Sequence, residues 1–323
     1  MRPFAFVFPG QGSQAVGMLE GWGSDPAVRE TVREASDALG EDVGKLIREG
    51  PKEALALTTN TQPVMLVAGV AAYRAWMART GVAPAVVAGH SLGEYSAMVA
   101  AGMLTMKQAA PLVRLRAQAM QDAVPVGQGA MAAVLGLGAD KVVEVCIQVH
   151  AQFAAQPLHA AEVVEVANFN DPGQTVISGS KAAVEKACEA LKASGARRAM
   201  LLPVSAPFHS SLMRPAAEKL LLALDDTDFA PPEIVLINNV DVAVEVDAAR
   251  IRDALYRQAF GAVRWVECVR AIKARGLTQV VECGPGKVLS GMVGRIDPEM
   301  TGLALFDPAS MDLVHSALSG EGG

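Results

Sequence analysis

One serine in this chain stands where a serine can be made to react. Gly89-His90-Ser91-Leu92-Gly93 fits the pattern G-x-S-x-G. It lies between Ala85–Ala88, an apolar run that reads as a short strand, and Leu92–Gly102, an Ala- and Met-rich run that reads as a helix. Strand, sharp turn and helix form the context in which this pattern makes a nucleophile elbow. The glycines allow strand and helix to approach closely, and Ser91 is left exposed at a helix N-terminus. There the first backbone N–H groups and the helix dipole can stabilise a negative oxygen. The same residues would also suit a glycine-rich turn with a capping serine, but the flanking elements favour the nucleophile.

A serine hydroxyl needs a base. The chain has 5 histidines, His90, His150, His159, His209 and His315. His90 adjoins Ser91, and adjacent side chains usually diverge. His150 and His159 bracket a polar excursion and read as solvated, and His315 sits on an apparent surface helix near the C-terminus. His209, in Ala206-Pro207-Phe208-His209-Ser210, follows a strand, where loops present functional groups. It leads as the base, with His90 next.

Two further features could serve such a pair. Ala109, Leu112, Val113, Arg116 and Met120 fall on one helical face, so Arg116 interrupts an apolar stripe while Arg114 points away from it. A buried guanidinium needs an anionic partner. That partner is either a structural acid or a substrate carboxylate, which arginine grips bidentately. Pro9-Gly10-Gln11-Gly12-Ser13-Gln14 directly follows the first strand and lacks the Lys-Ser/Thr ending of a Walker phosphate loop. It suits an oxyanion-binding loop, or else a plain tight turn.

The elements that must position these residues alternate. Phe4–Phe8 and Ala85–Ala88 read as apolar strands, and Gln279–Cys283 as a further strand leading into Gly284-Pro285-Gly286. Thr61–Met77, with Pro63 near its first turn, Leu92–Gly102 and Lys107–Ala123 read as helices. This rhythm implies an α/β fold with a mainly parallel, hydrolase-like sheet covered on both faces. The middle differs. Gly129–Leu137, Val163–Asn168, Gln174–Gly179 and Arg198–Leu202 read as strands, and Ala139–Val149 and Lys181–Ser194 as helices, with Ala151–Glu162 as a surface loop. The order βαββαβ is ferredoxin-like. The division expected is therefore a core of residues 1–126 and 204–323 carrying the elbow, with 127–203 as an inserted subdomain.

Composition narrows the function classes. The chain has 323 residues, 51% of them hydrophobic and 19% charged, with net charge −6, which excludes a mainly disordered chain and offers no basic footprint for nucleic acid or an anionic membrane. The uncharged apolar stretches Gln62–Arg74 and Glu94–Lys107 are shorter than the roughly 20 residues that span a bilayer. Phe4–Phe8 is too short for a signal peptide, so a cytoplasmic chain is expected. Cys146, Cys188, Cys268 and Cys283 form no CxxC pair and read as buried thiols rather than a metal site.

Taken together, FPGQGSQ at 8–14, TQP at 61–63, GHSLGEYSA at 89–97, LVRLRAQAMQ at 112–121, NFNDPGQTVISG at 168–179, FHSSLM at 208–213, NNVD at 238–241 and ECGPGKVLSGM at 282–292 resemble the malonyl-CoA:acyl carrier protein transacylase family. The resemblance spans nearly the whole chain in family order. It implies that Ser91 is acylated, that His209 is its base, and that Arg116 pairs with the free malonyl carboxylate. It further implies an oxyanion hole made by the Gln11 and Leu92 N–H groups, and a histidine oriented by a carbonyl of Gln258 rather than by an acid. The chain departs from the family at Gly261-Ala262-Val263, where Asn-Pro often precedes the Val. Phe208, beside His209, is expected to wall the acyl pocket. The implied reaction passes a malonyl group from malonyl-CoA to the pantetheine thiol of holo acyl carrier protein and needs no metal or cofactor of its own. The oligomeric state is left open, with a monomer as the default. The competing readings are a serine thioesterase or hydrolase, and a stand-alone acyltransferase serving a polyketide synthase. In α/β-hydrolases, however, the histidine follows an acid late in the chain, whereas here His209 is followed by a long further segment.

Overall fold

In the computed structural model, which describes residues 1–156 and 161–320, the strands form two sheets. The larger contains β1 (Phe4–Phe8), β2 (Val86–Gly89), β7 (Val235–Ile237), β8 (Gln279–Cys283) and β9 (Thr301–Leu305), in the order β7-β2-β1-β8-β9, and every pair in it is parallel. Period-2 alternation sorts β1 onto two cores. Phe4, Phe6 and Phe8 meet the helix Thr58–Thr80 through Tyr73 and Trp76. Ala5 and Val7 face the helices Trp265–Ala274 and Val288–Ile296. A strand buried on both faces must be apolar throughout, which is why β1 reads as an unbroken hydrophobic run. In register, Phe8 lies opposite Gly89, so the loops after β1 and β2 leave the same edge side by side. That edge, at the carboxyl ends of parallel strands, is where such sheets present their ligands.

The smaller sheet contains β3 (Gly129–Leu135), β4 (Val164–Asp171), β5 (Gln174–Ser180) and β6 (Arg198–Leu201), in the order β4-β5-β3-β6, with every pair antiparallel. The helices Ala139–Ala154 and Lys181–Ala193 cover one face around Val134, Val145, Ile177 and Leu191. Strand order and helix placement are those of the ferredoxin-like βαββαβ unit. Between the sheets, Val263 N–H donates to Ala167 O at 2.8 Å and Phe169 N–H to Val263 O at 2.9 Å, stitching the segment after Gln258 onto β4.

Three local expectations change. The helix over Thr61–Met77 begins earlier, at Thr58, which puts Pro63 inside it. The missing Pro63 N–H leaves Thr59 O without its helical donor, and Arg114 Nη1 donates to that oxygen at 2.7 Å instead. The stretch read as a loop from Ala151 continues the helix to Ala154, because alanine favours helix over coil. The rest of that stretch includes His159, which lies outside the described residues. His150 is half-buried rather than solvated, with its Nδ1 enclosed. All four cysteines are free and buried. Among the described residues no helix is long and apolar enough to cross a membrane, and no acidic, Cys or His cluster could hold a metal ion.

Candidate active site

The elbow is dictated by contact distances. A Cβ on Gly89 would lie 1.9 Å from Gly93 C, and one on Gly93 would lie 2.0 Å from Phe8 O, so neither position admits a side chain. Between them Ser91 is held at φ 52°, a left-handed conformation that costs an L-residue roughly 1–2 kcal/mol. Asn239 staples the turn. Its Oδ1 accepts the Ser91 N–H at 2.7 Å, and its Nδ2 donates to Gly89 O at 2.5 Å.

His209, also at positive φ (58°), brings Nε2 to 2.6 Å from Ser91 Oγ. On its other edge Nδ1 faces two carbonyl oxygens, Gln258 O at 3.0 Å and Gly261 O at 3.1 Å. Carbonyls only accept, so the proton sits on Nδ1 and Nε2 is left bare toward the serine hydroxyl. Among the described residues no carboxylate hydrogen-bonds this histidine. Burial, reinforced by the positive charge of Arg116, pushes its pKa down to about 3, so the ring is neutral at pH 7. His90 is committed elsewhere. Its Nε2 lies 2.9 Å from Asn170 Oδ1, and its ring meets the Trp265 ring at 5.5 Å.

Arg116 is 2% exposed. Its Nη1 donates to Gln62 Oε1 at 2.6 Å, and its Nη2 donates to Gln258 Oε1 at 3.0 Å and to Ser91 Oγ at 3.2 Å. The guanidinium also lies over the Tyr95 ring at 5.5 Å. All of these partners are neutral, its Nε has none, and among the described residues no acid forms an ion pair with it. Taking a lone charge out of water costs several kcal/mol unless an opposite charge meets it. The pocket is therefore built for an anion. Arg114 turns the other way, to Thr59 O, Asn60 Oδ1 and Glu41 Oε2.

These side chains open onto a cleft of about 330 Å³ between the two sheets. Gln11, Leu92 and Phe208 line one side, and Met131 of β3, Asn168 of β4 and Val176 of β5 line the other. Among the described residues neither the Gln11 nor the Leu92 backbone N–H finds an acceptor, which leaves both free for a ligand oxygen. A neutral imidazole on a serine hydroxyl, two free amides and an unmatched guanidinium can form, stabilise and orient an ester of an acyl group that carries its own carboxylate.

The acyl transferase domain family matches residues 5–293. The malonyl CoA-acyl carrier protein transacylase of Escherichia coli (strain K12) is 49% identical over 312 residues, covering 96% of this chain and 98% of that protein. The chain belongs to this transacylase family. It is an acyltransferase. A crystal structure of an acyl-carrier-protein S-malonyltransferase from Burkholderia pseudomallei is 58% identical, with TM-score 0.92 over 98% of this chain and 99% of that one. A malonyl-transacylase solved in complex with its type II PKS acyl carrier protein is 47% identical, with TM-score 0.92 over 98% and 99%.

Four residues of this transacylase site escape a reading by motif roles. Gln62, Glu94, Tyr95 and Asn239 contact Arg116, Ser91 or Gln258, yet none of them sits in a motif that assigns it a catalytic role. Their signal was nevertheless partly present, since Gln62 and Glu94 stand at the edge of long apolar helical runs, and buried polar groups need partners. The Gly261 carbonyl, at the point where the chain departs from the family pattern, could not be foreseen as a histidine acceptor, because any residue carries one.

Proposed function

We propose that the chain transfers a malonyl group from malonyl-CoA to the phosphopantetheine thiol of holo acyl carrier protein, with Ser91 as nucleophile and His209 as its base. Ser91 Oγ attacks the thioester carbonyl while its proton passes to His209 Nε2. The carbonyl oxygen takes negative charge against the Gln11 and Leu92 N–H groups. The C–S bond then breaks, and His209 returns the proton to the coenzyme A thiolate. In the second half the pantetheine thiol gives its proton to His209 and attacks malonyl-Ser91, and Ser91 Oγ leaves with that proton. One histidine serves both directions because the two halves are mirror images. The Gln258 and Gly261 carbonyls hold its tautomer throughout.

Arg116 carries the choice of acyl group. A carboxylate placed on Nη1 and Nη2 would neutralise the buried guanidinium, and the neutral partners around it support that reading. The exchange of one thioester for another needs a nucleophile and a proton carrier, so the same reading assigns no metal or redox cofactor. It treats the chain as a cytoplasmic monomer, with residues 127–203 as an inserted subdomain that walls the cleft and Phe208 as a wall of the acyl pocket.

The test is intact-mass analysis after incubation with malonyl-CoA. The chain should gain one malonyl group, lose it to holo acyl carrier protein, and gain none as Ser91→Ala. A malonyl adduct on Ser91→Ala would place the nucleophile elsewhere. Release of free malonate outpacing delivery to the carrier would make the chain a hydrolase.

A further inference from the structure

A fully buried carboxylate lies one residue from the site and takes no part in the reaction above. Glu94 is 0% exposed. Its Oε2 accepts two hydrogen bonds, from Asn239 N–H at 2.9 Å and from Gln258 Nε2 at 3.1 Å, and its Oε1 is enclosed without a partner. Among the described residues no cation forms an ion pair with it. The other end of the same Gln258 amide faces Arg116, whose Nη2 donates to Gln258 Oε1 at 3.0 Å. A carboxylate and a guanidinium thus sit at opposite ends of one primary amide, N–H toward the anion and C=O toward the cation. This is the favourable orientation of the amide dipole between two opposite charges.

We propose that Glu94 is the counter-charge of Arg116, set one amide away so that it moderates the guanidinium's hold on the acyl carboxylate without occupying the place that carboxylate takes. The inference rests on the reading of Arg116 as the carboxylate's partner. A carboxylate in direct contact would fill the anion site. With no counter-charge, Arg116 would hold the malonyl group most tightly and bear hardest on His209, slowing its release to the carrier. At one amide's remove the attraction survives but is weakened, since it falls with distance. Glu94 acts through Gln258 and is a positioning residue.

Burial raises the Glu94 pKa to about 7, so its charge grows in as the pH rises through neutrality. The other titratable groups that face it do not change charge there. Arg116 remains a cation, burial pushes Tyr95 up to about 12 and Cys268 upward, and the hydrogen bond from Arg257 holds Asp241 down. His209 and His90, across the site, are both lowered by burial.

Glu94→Gln is a clean probe, because a glutamine carbonyl at the Oε2 position keeps both hydrogen bonds and its NH₂ takes the place of the unpartnered Oε1. The readout is the malonate concentration that halves the labelling rate of Ser91 by an uncharged fluorophosphonate, on the full chain. At pH 8 Glu94→Gln should need less malonate than wild type by on the order of 3–10-fold, and at pH 6 the two should agree within about twofold. The wild-type chain is a second arm that needs no variant. Its own half-protecting concentration should rise from pH 6 to pH 8, although malonate becomes more anionic over that range. A ratio that does not change with pH, weaker protection of Glu94→Gln, or a flat or falling wild-type value each overturns the inference. A wild type that malonate does not protect at either pH overturns it together with the role of Arg116. A wild type that shows the expected protection but passes no malonyl group to holo acyl carrier protein would sink the proposed function and leave the counter-charge standing.

Discussion

Replacing Arg116 by alanine should separate two substrates that differ by one carboxylate. In the resting site the guanidinium is buried against Gln62, Gln258 and Ser91 with no acid to meet it. Malonyl-CoA brings that acid, whereas acetyl-CoA leaves the charge unmatched. Removing one partner of a buried ion pair costs about 3–5 kcal/mol, so kcat/KM for malonyl-CoA should fall on the order of 10²–10³-fold. Acetyl-CoA never gained that energy. For it the substitution removes the Nη2 contact on Ser91 Oγ and the positive charge that, after burial, does most to depress His209. Acetyl transfer should therefore hold steady or rise. The orphaned Gln62 and Gln258 carbonyls lower stability by about 1–3 kcal/mol each, partly offset by the loss of a lone buried charge, so melting curves should accompany the kinetics. Arg114→Ala is the control, since that side chain turns away to Thr59, Asn60 and Glu41. The measurement is kcat/KM for both thioesters with both variants. An equal fall for both thioesters in Arg116→Ala would refute the carboxylate clamp. A malonyl-specific defect in Arg114→Ala would refute the helix register.

His209→Ala should slow both half-reactions by about 10²–10⁴-fold, read by stopped-flow acylation and deacylation, and an unchanged rate in either half would move the base elsewhere. The same variant isolates a stability effect. The His209 pKa falls from its ordinary 6.5 to about 3 on folding, so its contribution is complete above pH 6.5 and is lost as the pH drops toward 3. Denaturant melts at pH 7 and pH 4 should show wild type losing more stability than His209→Ala, and equal losses would contradict a buried neutral ring. Phe208→Ala should admit a methyl branch on the malonyl α-carbon, narrowing discrimination against methylmalonyl-CoA by roughly 1–3 kcal/mol, with an unchanged kcat/KM ratio as the contrary result. Gly93→Ala forces a Cβ toward Phe8 O, at 2.0 Å, and should cost at least roughly 1–3 kcal/mol and Ser91 reactivity, whereas wild-type melting with normal labelling would mean the elbow has room to give.

The parts of the molecule legible in sequence were those whose physics is local. β1 shows as an unbroken apolar run because both its faces are buried, and the elbow shows because its glycines and serine must adjoin. β9 (Thr301–Leu305) gives no such signal. It opens Thr-Gly, and Gly302 is there because a Cβ would lie 2.1 Å from Ser290 O of the neighbouring helix, a reason visible only in three dimensions. The helix Pro26–Leu39 carried its markers openly, the cap Asp25, Pro26 in its first turn and Gly40 beyond its end, but its polar face kept it from standing out. In the site, Ser91, His209 and Arg116 carry their chemistry in their type and local pattern. Asn239 does not, because its contact with Ser91 spans 148 positions of sequence and its amide acts only by where it is held.

The stitch between Val263 and β4 ties two functions to one length of chain. The carbonyls of Gln258 and Gly261 fix the imidazole of His209, and two residues after Gly261 the same backbone is pinned to Ala167 and Phe169 of the strand that walls the cleft. The orientation of the His209 ring and the wall of the cleft therefore rest on one length of backbone. A substitution that displaces β4 from Val263 also displaces the carbonyls that hold the ring, so a change made in the cleft wall is felt at His209 without touching it.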